Sequence, residues 1–168
     1  MLIDLGTNGE MAVGCRDRIL VTSTAAGPAF EGGNIVCGTG SIPGAICSVE
    51  LRDGRASVQT IGGKPASGIC GTGVIDTVYE LKKTGIIDET GLMEEPWFDE
   101  GFLLSEAALS DSGREIRFYQ KDVRELQLAK SAVRAGLETL LSRYGTSYDE
   151  ISHIYICLLY TSDAADEL

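Results

Sequence analysis

Histidine occurs once, at position 153, tryptophan once, at 97, and only four prolines punctuate 168 residues. A single imidazole supports neither a histidine-based metal centre nor a Ser–His or Cys–His catalytic pair. Positive charge is scarce as well. Fourteen Lys and Arg face 25 Asp and Glu, and the net charge of −11 argues against binding nucleic acid or an anionic membrane through general electrostatics. No apolar run approaches the roughly 20 residues that a membrane span needs. No basic leader followed by an apolar stretch opens the chain, so a cytoplasmic protein is expected. The five cysteines (15, 37, 47, 70 and 157) include no C-x-x-C pair, which fits reduced thiols better than a disulfide scaffold or a zinc ribbon. The gaps of 10 and 23 residues between Cys37, Cys47 and Cys70 match no common ferredoxin spacing.

What the chain has in excess is glycine, 21 residues, about one in eight against a usual share of about 7%. With 43% hydrophobic residues, one packed domain is expected. Leu2–Leu5, Glu10–Gly14 and Ile19–Thr22 read as a three-strand meander, with Asn8-Gly9 as the first hairpin signal. Ala45–Leu51 and Ala56–Ile61 flank Asp53-Gly54, again hairpin chemistry. Thr72–Lys83 has apolar residues at helical spacing and Gly85 just beyond its end. Residues 86 to 113 read as an acidic, irregular surface loop with a short strand near Phe102–Leu104. A long helix is predicted over Val123–Arg143, with Asp122 as its N-cap, Glu125 completing a capping box, and an apolar stripe that includes Val133 and Leu137. The strand Ile151–Ile156 closes the pattern, and the whole suggests a mixed α/β layer fold. From Cys157 onward, CLLYTSDAADEL resembles the translation of a sequencing-library adapter, so residues 157–168 are expected to be read-through and 1–156 the domain.

Three segments carry candidate chemistry. Asp4-Leu5-Gly6-Thr7-Asn8-Gly9-Glu10 puts a carboxylate at the end of a buried strand before a tight turn. Gly6 and Gly9 admit close backbone approach, Thr7 and Asn8 add neutral donors, and Asp4 is a candidate to hold hydrated Mg²⁺ or orient a water. The same pattern also suits a purely structural hairpin. Gly71-Thr72-Gly73, ahead of a helix, offers N–H groups to an anion, with Asp76 a dipole-favoured acid inside that helix, and the alternative is a tight strand-to-helix connection. In Ser23–Asn34, Glu31 is a candidate base or metal-shell carboxylate where a short helix ends, against the default of a surface acid. Lys130 and Arg134 are candidate nucleotide contacts, but solvated charges or pairing with Glu138 explain them more simply.

Taken together, LIDLGTNGEM, TSTAAGPAFEGGNI, GICGTGVID and QKDVRELQLAKSAVRAGLETLL resemble the ATP-binding part of reductive activators of corrinoid proteins. These belong to the ASKHA superfamily of sugar kinases, heat-shock chaperone ATPases and actin. The resemblance implies one truncated lobe of an actin-like (ribonuclease H-like) ATPase, a mixed sheet with a β-meander and packed helices. It implies ATP and Mg²⁺ as cofactors, and an N-terminal iron–sulfur (2Fe-2S) domain that is not in this sequence. The implied partner is a corrinoid protein oxidised to Co(II), reduced again in a step coupled to ATP. The positions matching the phosphate motif are Asp4, Gly6, Thr7 and Asn8. The glycine pair expected after the last strand is replaced by Cys157-Leu158-Leu159, and the first lobe is missing, so this chain would carry only part of an ATP site. A 2-hydroxyacyl-CoA dehydratase activator, a small-molecule kinase and a non-catalytic nucleotide-gated binding module remain alternatives.

Overall fold

A computed structural model describes residues 1–158. Its first sheet is the expected meander: β1 (Leu2–Leu5), β2 (Gly9–Gly14) and β3 (Ile19–Thr24) pair antiparallel in sequence order. The last described strand, numbered β9 (Tyr155–Leu158), lies parallel to the outer edge of β1, giving the order β3-β2-β1-β9. Along β2 the side chains alternate, and Met11 and Val13 join Ile3 beneath the longest helix.

The second sheet has the order β5-β4-β6, from β4 (Ala45–Arg52), β5 (Arg55–Thr60) and the two-residue β6 (Gly68–Ile69). Asp53 and Gly54 both take positive φ (50° and 75°) between the paired Arg52 and Arg55, the geometry of a two-residue primed turn. Strand β6 is too short to cover the edge of β4, and helix α1 (Gly71–Lys83) takes over. Its Asp76 and Glu80 carboxylates accept the backbone N–H groups of Val49 (3.3 Å) and Leu51 (3.0 Å), replacing strand partners. Asp76 also accepts the Ser48 hydroxyl at 2.9 Å, so its role is to fasten α1 to β4. Gly85 (φ 79°) ends the helix as expected, with Gly85 N–H on the Lys82 carbonyl and Ile86 N–H on that of Leu81.

Residues 86 to 113 are more ordered than expected. The short helix α2 (Trp97–Glu100) precedes β7 (Phe102–Ser105), which pairs with β8 (Ile116–Phe118), a strand that three residues of sequence did not announce. Ile86, Ile87, Met93, Phe102 and Leu104 are all buried, so this segment contributes to the core.

Helix α3 (Gln120–Tyr144) begins three residues before the expected start. Tyr119, not Asp122, is the N-cap, and Asp122 sits at the third helical position, accepting the Tyr119 N–H at 2.9 Å. Its other oxygen accepts the N–H of Val36 at 2.8 Å, and Asn34 reaches Glu125, so the 34–36 loop is fastened to the start of α3. Glu125 is thus a tertiary partner instead of the capping-box acid. Asp122 is fully buried, and desolvation raises its pKa above 3.8 despite the two N–H donors. A raised folded-state pKa means the native protein holds that proton more tightly than the unfolded chain. The stability gained this way is complete below pH 3.8 and is lost as pH rises through the folded value. In Asp122→Asn that slope should disappear from the pH profile of chemical-denaturation stability, and a profile still parallel to wild type would refute the assignment.

Val133 and Leu137 are each only 8% exposed, against the meander, as the stripe predicted. Close packing here depends on Gly136, whose Cβ would fall 2.3 Å from Met11 Cε. Gly136→Val should cost about 1–3 kcal/mol in urea denaturation by overpacking this seam. The opposite face of the sheet is bare, with Leu2, Ile19, Val21 and Tyr155 exposed.

One expectation shifts in register. The last strand is Tyr155–Leu158 instead of Ile151–Ile156, because pairing with β1 starts at Leu2 opposite Tyr155, while Tyr148–Glu150 form a 3₁₀ turn. Cys157 and Leu158 continue that strand opposite Asp4 and Leu5; Leu159–Leu168 lie outside the described residues. His153 precedes the strand and is exposed.

Candidate functional site

Asp4 stands near the end of β1, directly across from Glu10 on β2 and Cys157 on β9. Two carboxylates in register across a ladder repel one another unless something cationic sits between or beside them. Both line an open groove of about 500 Å³ on the bare face of the sheet, with Ser23 on the next strand. Asp4 Oδ1 is buried from solvent and accepts no hydrogen bond among the described residues. The Asp4 charge is the first cause raising the thiol pKa of Cys157 beside it, with desolvation second.

The turn that follows is not the Asn-Gly hairpin expected from sequence. Leu5 pairs with Gly9, leaving Gly6-Thr7-Asn8 as a three-residue loop, and neither Asn8 nor Gly9 has positive φ. The glycine at 9 has a tertiary reason: a Cβ there would crowd Thr24 Cγ2 at 3.1 Å and Val133 Cγ2 at 3.3 Å.

This loop is tied to the second candidate segment. Thr7 donates its N–H to Glu31 Oε1 (3.1 Å) and its hydroxyl to Glu31 Oε2 (2.5 Å), while its carbonyl accepts the Gly27 N–H (2.9 Å). Glu31 closes the 3₁₀ turn Pro28–Glu31, where Gly27 and Gly32 take positive φ on either side. The third segment abuts the same turn. Gly71 lies so close to Phe30 that a Cβ would sit 1.6 Å from the Phe30 carbonyl oxygen. No side chain caps the α1 N-terminus there; Thr72 is exposed, with its hydroxyl 3.3 Å from Cys70 Sγ. The structure therefore links Thr7, Glu31 and Gly71 through one turn. Sequence reasoning picked out the three segments and missed the contacts joining them, because no spacing encodes a pairing across 24 or 41 residues.

Arg134 pairs with Glu138, four residues on, and Lys130 is exposed on the outer face of α3. The five cysteines are free, and no cluster of three His, Cys, Asp or Glu residues suited to a metal occurs among the described residues.

A three-strand meander backed by a long helix, with an aspartate before a glycine-bounded loop, defines an ASKHA-type α/β domain. More particularly, the chain belongs to the family of the C-terminal ASKHA domain of RACo, which matches residues 1–157. It is similar to the corrinoid activation enzyme RamQ of Eubacterium limosum, with 36% identity over 172 residues, covering 93% of this chain and 29% of that protein. It is also similar to the Co(II) methylated amine-specific corrinoid protein reductase of Methanosarcina barkeri, with 33% identity over 178 residues, 93% of this chain and 31% of that one. A solved reductive activator for a corrinoid, iron–sulfur protein superposes with a TM-score of 0.86 at 36% identity, over 92% of this chain and 26% of the other. The chain thus spans less than a third of the length of these relatives. No helix among the described residues is long and apolar enough to cross a membrane.

Proposed function

We propose that this chain is one nucleotide-binding lobe of a cytoplasmic, ATP-dependent activator that returns a Co(II) corrinoid protein to its reduced state. Electrons would come from an iron–sulfur (2Fe-2S) domain elsewhere in the parent protein, and the segment from Cys157 onward would be read-through. The observation that carries this reading is Asp4 Oδ1, shielded from solvent and with no geometric hydrogen-bond donor among the described residues, beside the Gly6–Asn8 loop, in a chain of this family. A carboxylate oxygen removed from water without a donor is unfavourable unless a cation satisfies it, so the residues fit a hydrated Mg²⁺. Bound there, Mg²⁺ would neutralise phosphate charge. Asp4 would hold its hydration shell and orient a water. The Thr7 hydroxyl and the N–H groups of Gly6, Thr7, Asn8 and Gly9 would hold phosphate oxygens, and the uncapped start of α1 at Gly71, Thr72 and Gly73 would receive a second anionic group. Glu31 is the second carboxylate of the site. The test is the restored full-length protein. It should reduce a Co(II) corrinoid protein only with ATP present, read from the cobalamin absorption spectrum. Failure to bind ATP would overturn the assignment.

A further inference from the structure

The two donors of Thr7 assigned above to a phosphate are already filled. Each oxygen of Glu31 takes one of them, the N–H at 3.1 Å and the hydroxyl at 2.5 Å. We infer that Glu31 is an internal stand-in for the phosphate: its carboxylate occupies an anion site on Thr7, and an incoming phosphoryl group must displace it. Only the identity of that anion, a nucleotide phosphate, rests on the function proposed above; the site itself rests on the contacts.

Two oxygens of a phosphoryl group can span the same two donors, but they cannot share them with a carboxylate of like charge. Glu31 forms no ion pair among the described residues, so it holds Thr7 without a cation to anchor it elsewhere. Its side chain is only half-buried and is free to swing toward water. The backbone on either side stays put: the Gly27 N–H holds the Thr7 carbonyl, and Phe30 is wedged against Gly71. The donors therefore remain aimed after the carboxylate leaves. The resting site is thus preorganised and at the same time self-competing, which lowers its apparent affinity by the fraction of time Glu31 is bound. Displacement also delivers a freed carboxylate to the edge of the phosphate, where it can act on water or on a hydrated cation. On this account Glu31 competes with the phosphate for the two Thr7 donors.

The experiment titrates inorganic pyrophosphate, without divalent cation, into the 168-residue chain and into Glu31→Gln and Glu31→Ala by calorimetry. Both variants should bind about five- to tenfold more tightly than wild type, below the full value of a hydrogen bond to a charged group because the contact is partly exposed. A purely structural Glu31 would give unchanged or weaker binding, and that result, or no binding by any of the three, overturns the inference. Should the variants fold poorly, the wild-type chain decides by NMR: pyrophosphate must move the Thr7 amide and the Glu31 carboxylate carbon together, and a shift of Thr7 alone refutes displacement. Tighter pyrophosphate binding in the variants without any ATP binding by the full-length protein would sink the ATPase reading and leave this one standing.

Discussion

Asp4→Asn in the restored full-length protein should lower ATP turnover by about 10²–10³, the usual cost of losing one electrostatic contact to a developing charge. The substitution keeps the shape of the side chain, so β1 should still pair with β2 and β9 and thermal stability should hold or rise. Stability can rise because Asn removes one member of the like-charged pair with Glu10. ATP-dependent corrinoid reduction should fall by the same factor as ATP turnover. Normal hydrolysis in Asp4→Asn, with loss in Glu31→Gln, would transfer the metal-holding role to Glu31. Asp76 is no longer a competitor, since both Ser48 and Val49 donate to it.

The second large effect is structural. Gly71→Ala would ordinarily favour a helix by about 1 kcal/mol. Here the new methyl would stand 1.6 Å from the Phe30 oxygen, a backbone atom that cannot step aside as a side-chain tip could. Either α1 or the Pro28–Glu31 turn must move, at a cost of about 3 kcal/mol in denaturant unfolding. The displaced turn would carry Glu31 away from Thr7. Gly40→Ala is the control, because a Cβ there meets nothing within 4 Å and its φ is unexceptional; it should change stability by less than about 0.5 kcal/mol. Equal effects at the two glycines would mean that the Phe30–Gly71 contact has been misjudged.

Sequence made the fold legible where chemistry is local. Asp53-Gly54 specifies its own turn, Gly85 stops α1, and the stripe through Val133 and Leu137 states which face of α3 is buried. It misled where the reason for a residue is tertiary. Gly9 looks like half of a hairpin turn but its backbone lies close against Thr24 and Val133, and Asp122 looks like a cap while half of its bonding goes to Val36. Strands β6 and β8 are two and three residues long, too short for alternation to register. At the site, glycine and carboxylate content marked the right segments, yet the bond from Thr7 to Glu31 had no signature. Both are ordinary residues, and only the folded chain makes them neighbours.

The pairing of β9 with β1 also governs when this fold can form. Met1 and Leu2 are joined to residues about 150 positions away, through the Tyr155 N–H on the Met1 carbonyl and the ladder that continues to Leu5 and Leu158. During synthesis at about 5–20 residues per second, β1, β2 and β3 emerge many seconds before β9, while α3 precedes it by only a short stretch of chain. For those seconds the edge of β1 beside Asp4 is an open template for any strand that reaches it. Among the described strands, β9 is therefore the one that seals the Asp4 edge, and it does so after the meander has formed.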